Sequence, residues 1–298
     1  MSPSPTNSSS AISQQLKAHV YRLASEIGER NVFHPQALHA AEDYIRHSWQ
    51  QQGYEVAAQE YRVNEVRSAN LEVSLRGAQR PEQIILLGAH YDSVQGSPGA
   101  NDNASGVAAL LELSRLFRDQ APACSLRFVA FVNEEPPFFC SGQQGSWRYA
   151  KAARRRGDDI RLMLSLETMG YYRDEPGSQR YPPLFRFFFP DRANFIALVA
   201  NFRTRSLLRR LVKAFKTATD FPVQQVATFA AIPGVGWSDH LAFWLKGYKA
   251  LMVTDTAFYR YPYYHSAEDT AEKLDYDKLA TVALGLYTAL QALTSQQL

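Results

Sequence analysis

The sequence predicts an α/β fold: a three-layer α/β/α sandwich around a mixed, mostly parallel sheet. Three observations carry this expectation. Candidate strands alternate with candidate helices along most of the 298 residues. Several strands are apolar without a break (IILLGA, LRFVAFV, LMLSL), as in a sheet covered on both faces. Acidic and histidine residues fall just after such runs, where open α/β sheets build their sites.

Taken in order, Ile12, Leu16, Val20, Leu23 and Ile27 recur every three or four residues, which is one face of a helix. A second helix fits 35–52, with Leu38, Ala41, Ile45 and Trp49 inward and Gly53 as its stop. Strands follow over 54–63, 70–75 and 83–88, then a helix over 104–117. Next come strand 125–132, helix 145–155 and strand 161–167. The second half gives strand 195–200, helix 206–218, strand 223–229, helix 239–245 and strand 250–254, and helix 276–293 closes the chain. Residues 173–183 and 232–237 read as irregular walls of a pocket. Residues 1–10 are polar and read as a disordered tail, leaving 11–298 as a single catalytic domain.

Composition is that of an ordinary globular chain, 46% hydrophobic and 20% charged. A net charge of +3, from 32 basic and 29 acidic residues, argues against nucleic acid as the main partner. Basic clusters occur at 151–156 and 203–216, the second with helically spaced apolar residues that make it an amphipathic surface helix. No apolar run reaches bilayer length, and the N-terminus lacks a signal-peptide core. These features point to a cytoplasmic protein without membrane contact. Cys124 and Cys140 are expected as buried or half-buried free thiols, because a strand of about 30 Å separates Cys124 from the segment carrying Cys140.

The chemistry lies in His90, Asp92, Asp102, Glu134, Glu135, Glu167 and His265. Each alone has an ordinary explanation as a helix cap, a turn or a hydrogen-bonded strand end. Together they suit two divalent metal ions. His90 and Asp92 are two apart on a strand, so both project to one face, and one can orient the other. Asp102 opens a helix, where its carboxylate can bridge two cations. Glu134 and Glu135 are adjacent and need different roles, one as metal ligand and the other as general base. The sequence holds no P-loop, no G-x-S-x-G elbow and no H-E-x-x-H helix.

In this order, GAHYDSV, PGANDNASG, NEEPP, LETMGYY, SDH and YHSAEDT resemble the motifs of M28-type zinc peptidases, spanning 88–274. That family includes bacterial aminopeptidases, glutamate carboxypeptidase-like enzymes and, more distantly, glutaminyl cyclases. The resemblance implies two zinc ions, one of which could be another divalent metal. One would be held by His90, Asp102 and Glu167, the other by Asp102, Glu135 and His265. It also implies Glu134 as general base, Asp92 orienting His90, Tyr264 steadying an oxyanion, Asp239 near the pocket and a cis Asp102–Asn103 peptide. Many relatives carry Asp at the position of Glu167.

The implied activity is a dizinc aminopeptidase acting on small peptides, with Glu134 assisting a metal-activated water. A single-zinc glutaminyl cyclase-like acyltransferase and a zinc carboxypeptidase remain open, the latter calling on Arg173, Arg180, Arg186 or Arg260 for a substrate carboxylate. So does a catalytically dead binding domain, although no ligand is missing. The aromatic run 185–189 suits either a substrate pocket or a covered sheet edge, and Trp237 and Phe243 suit the core.

Overall fold

A computed structural model describes residues 5–297. Its centre is an eight-stranded sheet in the order β1-β2-β4-β3-β5-β8-β6-β7. The strands are β1 (Ala57–Val63), β2 (Val66–Leu75), β3 (Arg80–His90), β4 (Cys124–Phe131), β5 (Asp159–Glu167), β6 (Ile196–Ala200), β7 (Val223–Ala227) and β8 (Ala250–Thr254). β3 pairs in parallel with both β4 and β5, and β5 with β8. The β1–β2, β2–β4 and β8–β6 pairs are antiparallel, so the sheet is mixed as expected.

Helices cover both faces. On one side lie α1 (Pro5–Val20), α2 (Pro35–Gln51), α3 (Gly106–Phe117), α5 (Arg205–Ala218) and α7 (Tyr276–Thr294). Their buried residues, among them Leu16, Ile45, Trp49, Leu110, Leu211 and Leu286, form one cluster with Ile85, Leu87 and Leu164 of the sheet. On the other side α4 (Gly145–Arg156) and α6 (His240–Leu245) pack on Leu86, Phe131 and Met163. Alternate β3 residues therefore serve opposite cores, the reason that IILLGA is apolar throughout. The apolar face of α5 is buried and its basic face lies outward, as its spacing predicts. Among the described residues no helix is long and apolar enough to cross a membrane.

Three expectations change. The tail expected over residues 1–10 is helical from Pro5 onward; proline suits a first helical turn, where its missing N–H is not needed. Residues 1–4 lie outside the described residues. α1 continues into a wider helical turn at Tyr21–Ile27, which ends at Gly28 with φ of 82°. Cys124 is buried and Cys140 exposed, because the chain after β4 runs out over the surface; both are free.

The site loop and β5 meet at Gly106. A Cβ there would fall 2.5 Å from the Leu166 carbonyl and 2.3 Å from the Asn103 side-chain oxygen. Backbone cannot yield cheaply, so Gly106→Ala should cost about 1–3 kcal/mol of stability, the scale of overpacking. Urea unfolding in the presence of chelator checks this; an unchanged midpoint would contradict the close packing.

Candidate metal centre

Each functional side chain sits at the carboxyl end of a strand or in a turn just beyond it. His90 ends β3, Glu134 and Glu135 follow β4, Glu167 ends β5, Asp102 precedes α3, and His265 lies in the segment between β8 and α7. Because β4, β3 and β5 are neighbours, residues far apart in sequence converge here.

Asp102 is the hub. Its Oδ1 lies 3.2 Å from His90 Nε2 and its Oδ2 lies 3.1 Å from His265 Nε2. His90 Nε2 is also 3.4 Å from Glu167 Oε2, and His265 Nε2 is 3.2 Å from Glu135 Oε2. Two donor groups result, His90–Asp102–Glu167 and Asp102–Glu135–His265, sharing Asp102. Ligands on a tetrahedral zinc at about 2.0–2.1 Å stand roughly 3.3 Å apart, the spacing seen here. His265 Nε2 is buried without a hydrogen-bond partner, although it points at two carboxylates. The donors present thus fit two cations.

The electrostatics match this arrangement. Burial disfavours the charge on Asp102, yet His265 and His90 hold its carboxyl well below the usual range. Burial and the Asp102 charge push Glu135 up to about 7. Burial also raises Glu134, reinforced by Glu167, Asp239 and Glu135. Although burial opposes it, Asp102 and Glu135 raise His265 to about 10. Against burial, Glu167, Glu134 and Asp102 raise His90 as well, and a bound cation would compete with a proton on either ring.

A second layer of contacts fixes these donors. Asp269 accepts the backbone N–H groups of Asn101 and Asp102 at 2.8 and 3.1 Å, and the Tyr261 hydroxyl at 2.7 Å. Asn101 donates to Asp255 at 2.9 Å and accepts from the Gly170 N–H. Asn103 donates to the Leu166 carbonyl and accepts from the Thr168 N–H, tying the Asp102 turn to the end of β5. The Asp102–Asn103 peptide is cis. Arg30, wholly buried, donates to the carbonyls of Tyr91 and Gly99 at 2.6 and 2.8 Å, and so braces both sides of the turn. Ser238 donates to Glu167 Oε2 at 2.7 Å.

Asp92 lies against His90 and also holds the next strand end. His90 Nδ1 meets the Asp92 main-chain oxygen at 3.1 Å and its carboxylate Oδ1 at 3.6 Å. The same carboxylate accepts the backbone N–H groups of Glu134 and Glu135 at 3.2 and 3.1 Å, two charge-assisted bonds. Asp239 is buried among the site's charges but does not line the pocket, and burial pushes it up to about 7.

Beside the centre lies a cavity of about 800 Å³, open to solvent. Glu167 and Tyr264 form its metal-side wall, and Phe185, Phe189, Phe195, Trp237, Met252 and Phe258 line it. The run 185–189 therefore divides: Phe185 and Phe189 face the cavity, while Phe187 and Phe188 are exposed. Trp237 stacks on Phe258 at the cavity instead of joining the core, since the turn before α6 leaves it half exposed. Phe243 is core as expected. Tyr264 stacks on His265 with ring centres 3.8 Å apart, and burial among carboxylates keeps its phenol protonated.

Comparison with known proteins follows the same lines. The chain is 37% identical over 295 residues to the uncharacterised protein YfbL of Escherichia coli K12, covering 96% of this chain and 90% of that one. It is 28% identical over 250 residues to a probable leucine aminopeptidase of Trichophyton verrucosum, covering 76% of this chain and 58% of the relative. In fold it resembles a zinc aminopeptidase from Bacillus subtilis (TM-score 0.72, 15% identity, 94% and 95% of the two chains). It likewise resembles a glutaminyl cyclase from Fimbriiglobus ruber (TM-score 0.71, 19% identity, 94% of each). The model of peptidase family M28 matches residues 70–290, and the chain belongs to that family of zinc metallopeptidases.

Proposed function

We propose that this chain is a dizinc aminopeptidase that removes large apolar residues from the N-termini of small peptides. The observation that carries the reading is the pair of complete donor groups sharing Asp102, beside an apolar cavity with no lysine or arginine in its lining. A single-zinc acyltransferase would need only one of these groups. A carboxypeptidase would want a cation near the cavity. Arg260 lies behind the cavity wall, bonded to Gln179, Thr256 and main-chain oxygens with its Nη2 buried and unpartnered, and Arg186 lies over the exposed Phe187 ring.

His90, Asp102 and Glu167 would hold one ion, and Asp102, Glu135 and His265 the other. Zinc held there would lower the pKa of a water and polarise the scissile carbonyl. Glu134 accepts the proton of the attacking water and passes it to the leaving amine. Burial, with Glu167, Asp239 and Glu135 nearby, raises its pKa, which favours a carboxyl that can hold the proton before returning it. Asp92 fixes the backbone of Glu134 and Glu135, so base and ligand keep their relative positions. Tyr264 donates its hydroxyl to the developing oxyanion. Phe185, Trp237 and Phe258 receive the apolar side chain and exclude water from it.

Glu134→Gln keeps shape and removes the base. Turnover of an aminoacyl-p-nitroanilide should fall by at least about 10²–10⁴-fold, while zinc content measured on the same sample stays at the wild-type level. Near wild-type turnover would remove Glu134 from the mechanism. Metal uptake should also depend on pH. With His265 raised to about 10, its ring is protonated at pH 7.5 and must lose that proton to ligate. Titrating Zn²⁺ into the chelator-stripped chain should release at least one proton and bind more tightly as pH rises. Calorimetry in two buffers of different ionisation heat measures this, and zero proton release would contradict the assigned ligands.

A further inference from the structure

A second groove lies on the opposite side of the metal centre from the apolar cavity. It has a volume of about 630 Å³ and is lined by Tyr61 of β1 and by Trp147, Arg148, Lys151 and Arg155 of α4. The three cations stand at helical spacing on one face. Among the described residues no carboxylate pairs with any of them. Glu60, the one acid in the lining, pairs with Arg67 at 3.3 Å. Arg148 lies over the Tyr61 ring, 4.4 Å from its centre, and its buried Nε has no partner.

The sheet fixes where this groove stands. Ala58, Leu71 and Ala130 are in line across β1, β2 and β4, so Tyr61 stands level with Asn133. The Tyr61 hydroxyl indeed donates to the Val132 carbonyl and accepts from Asn133, the residue before Glu134. Two inter-strand steps of about 4.8 Å put Tyr61 and the Arg148 end of the groove roughly 10 Å to one side of the general base, with Lys151 and Arg155 further along α4. The apolar cavity is lined from β6, β7 and β8, on the other side of β5. A peptide with its first side chain in that cavity and its first bond at the metals would send its leaving part toward β2 and β1. Three extended residues at about 3.3 Å each cover the distance.

We infer that the groove of Arg148, Lys151 and Arg155 receives the terminal carboxylate of the leaving peptide, making the enzyme selective for short free-acid peptides of about four residues. This rests on the aminopeptidase reading above and adds a second determinant to it. Trp147 and Tyr61 would flank the peptide, and the unpaired cations would meet its charge.

The test compares Phe-Ala-Ala-Ala as free acid and as C-terminal amide, with phenylalanine p-nitroanilide as a substrate too short to reach the groove. The wild type should cleave the acid with a kcat/KM about fivefold above the amide, the scale of one partly screened ion pair. The Arg148→Gln/Lys151→Gln/Arg155→Gln variant should cleave both alike and keep its nitroanilide activity, which also reports that it is folded. Salt at 1 M should shrink the wild-type preference. Equal cleavage by the wild type, or a preference that survives in the variant, would overturn the inference while leaving the aminopeptidase reading intact. Absence of nitroanilide and peptide turnover by the wild type would remove both.

Discussion

The contact on which the site depends is the one carboxylate of Asp102 facing two imidazoles, His90 on one oxygen and His265 on the other. Everything around it serves to hold that acid, buried and charged, between the two. An isolated carboxylate in such surroundings would take up a proton. Here the two rings stabilise the charged form, and Asp269 and Arg30 fix the backbone from which it projects. Zinc bound in the same place would substitute for the ring protons. The polar network therefore favours cations between these donors.

The sheet supplies the rest of the geometry. Parallel β4, β3 and β5 deliver Glu134 and Glu135, His90 and Glu167 to one edge. The antiparallel strands at either flank then give the site two unlike neighbours. On the β8–β6–β7 side is an apolar cavity walled by aromatic rings. On the β2–β1 side is a groove with three unpaired cations. Under the aminopeptidase reading proposed above, such asymmetry would give a bound peptide a direction, apolar residue first and charged end last.

Much of this was legible in the sequence, and the reasons are physical. Unbroken apolar runs marked the central strands because both faces are buried, and each expected strand and helix is present within a few residues. The ligand residues stood out because acids directly after buried strands are unusual company for one another. What the sequence hid lies one layer out. Arg30 stands two residues past the glycine that ends a helix and looks like any exposed arginine, yet it is wholly buried and bonded to main-chain carbonyls of a loop some sixty residues away. Asp269, Asn101 and Ser238 stood inside the quoted motifs, but backbone hydrogen bonding has no sequence signature. Asp92 was placed beside His90, but its added hold on the Glu134–Glu135 backbone depends on the register of β3 against β4, which the sequence does not show. Glu167 raised a question of length, and Ser238 answers it by gripping Oε2 at 2.7 Å, so the longer arm still lands beside His90.

The central claim is that Asp102 bridges two metal ions. Anomalous diffraction at the zinc edge from crystals of the zinc-loaded chain tests it most directly. Two peaks are predicted, one on either oxygen of Asp102, the first flanked by His90 and Glu167 and the second by Glu135 and His265. A single peak, or a pair that does not share Asp102, would contradict it.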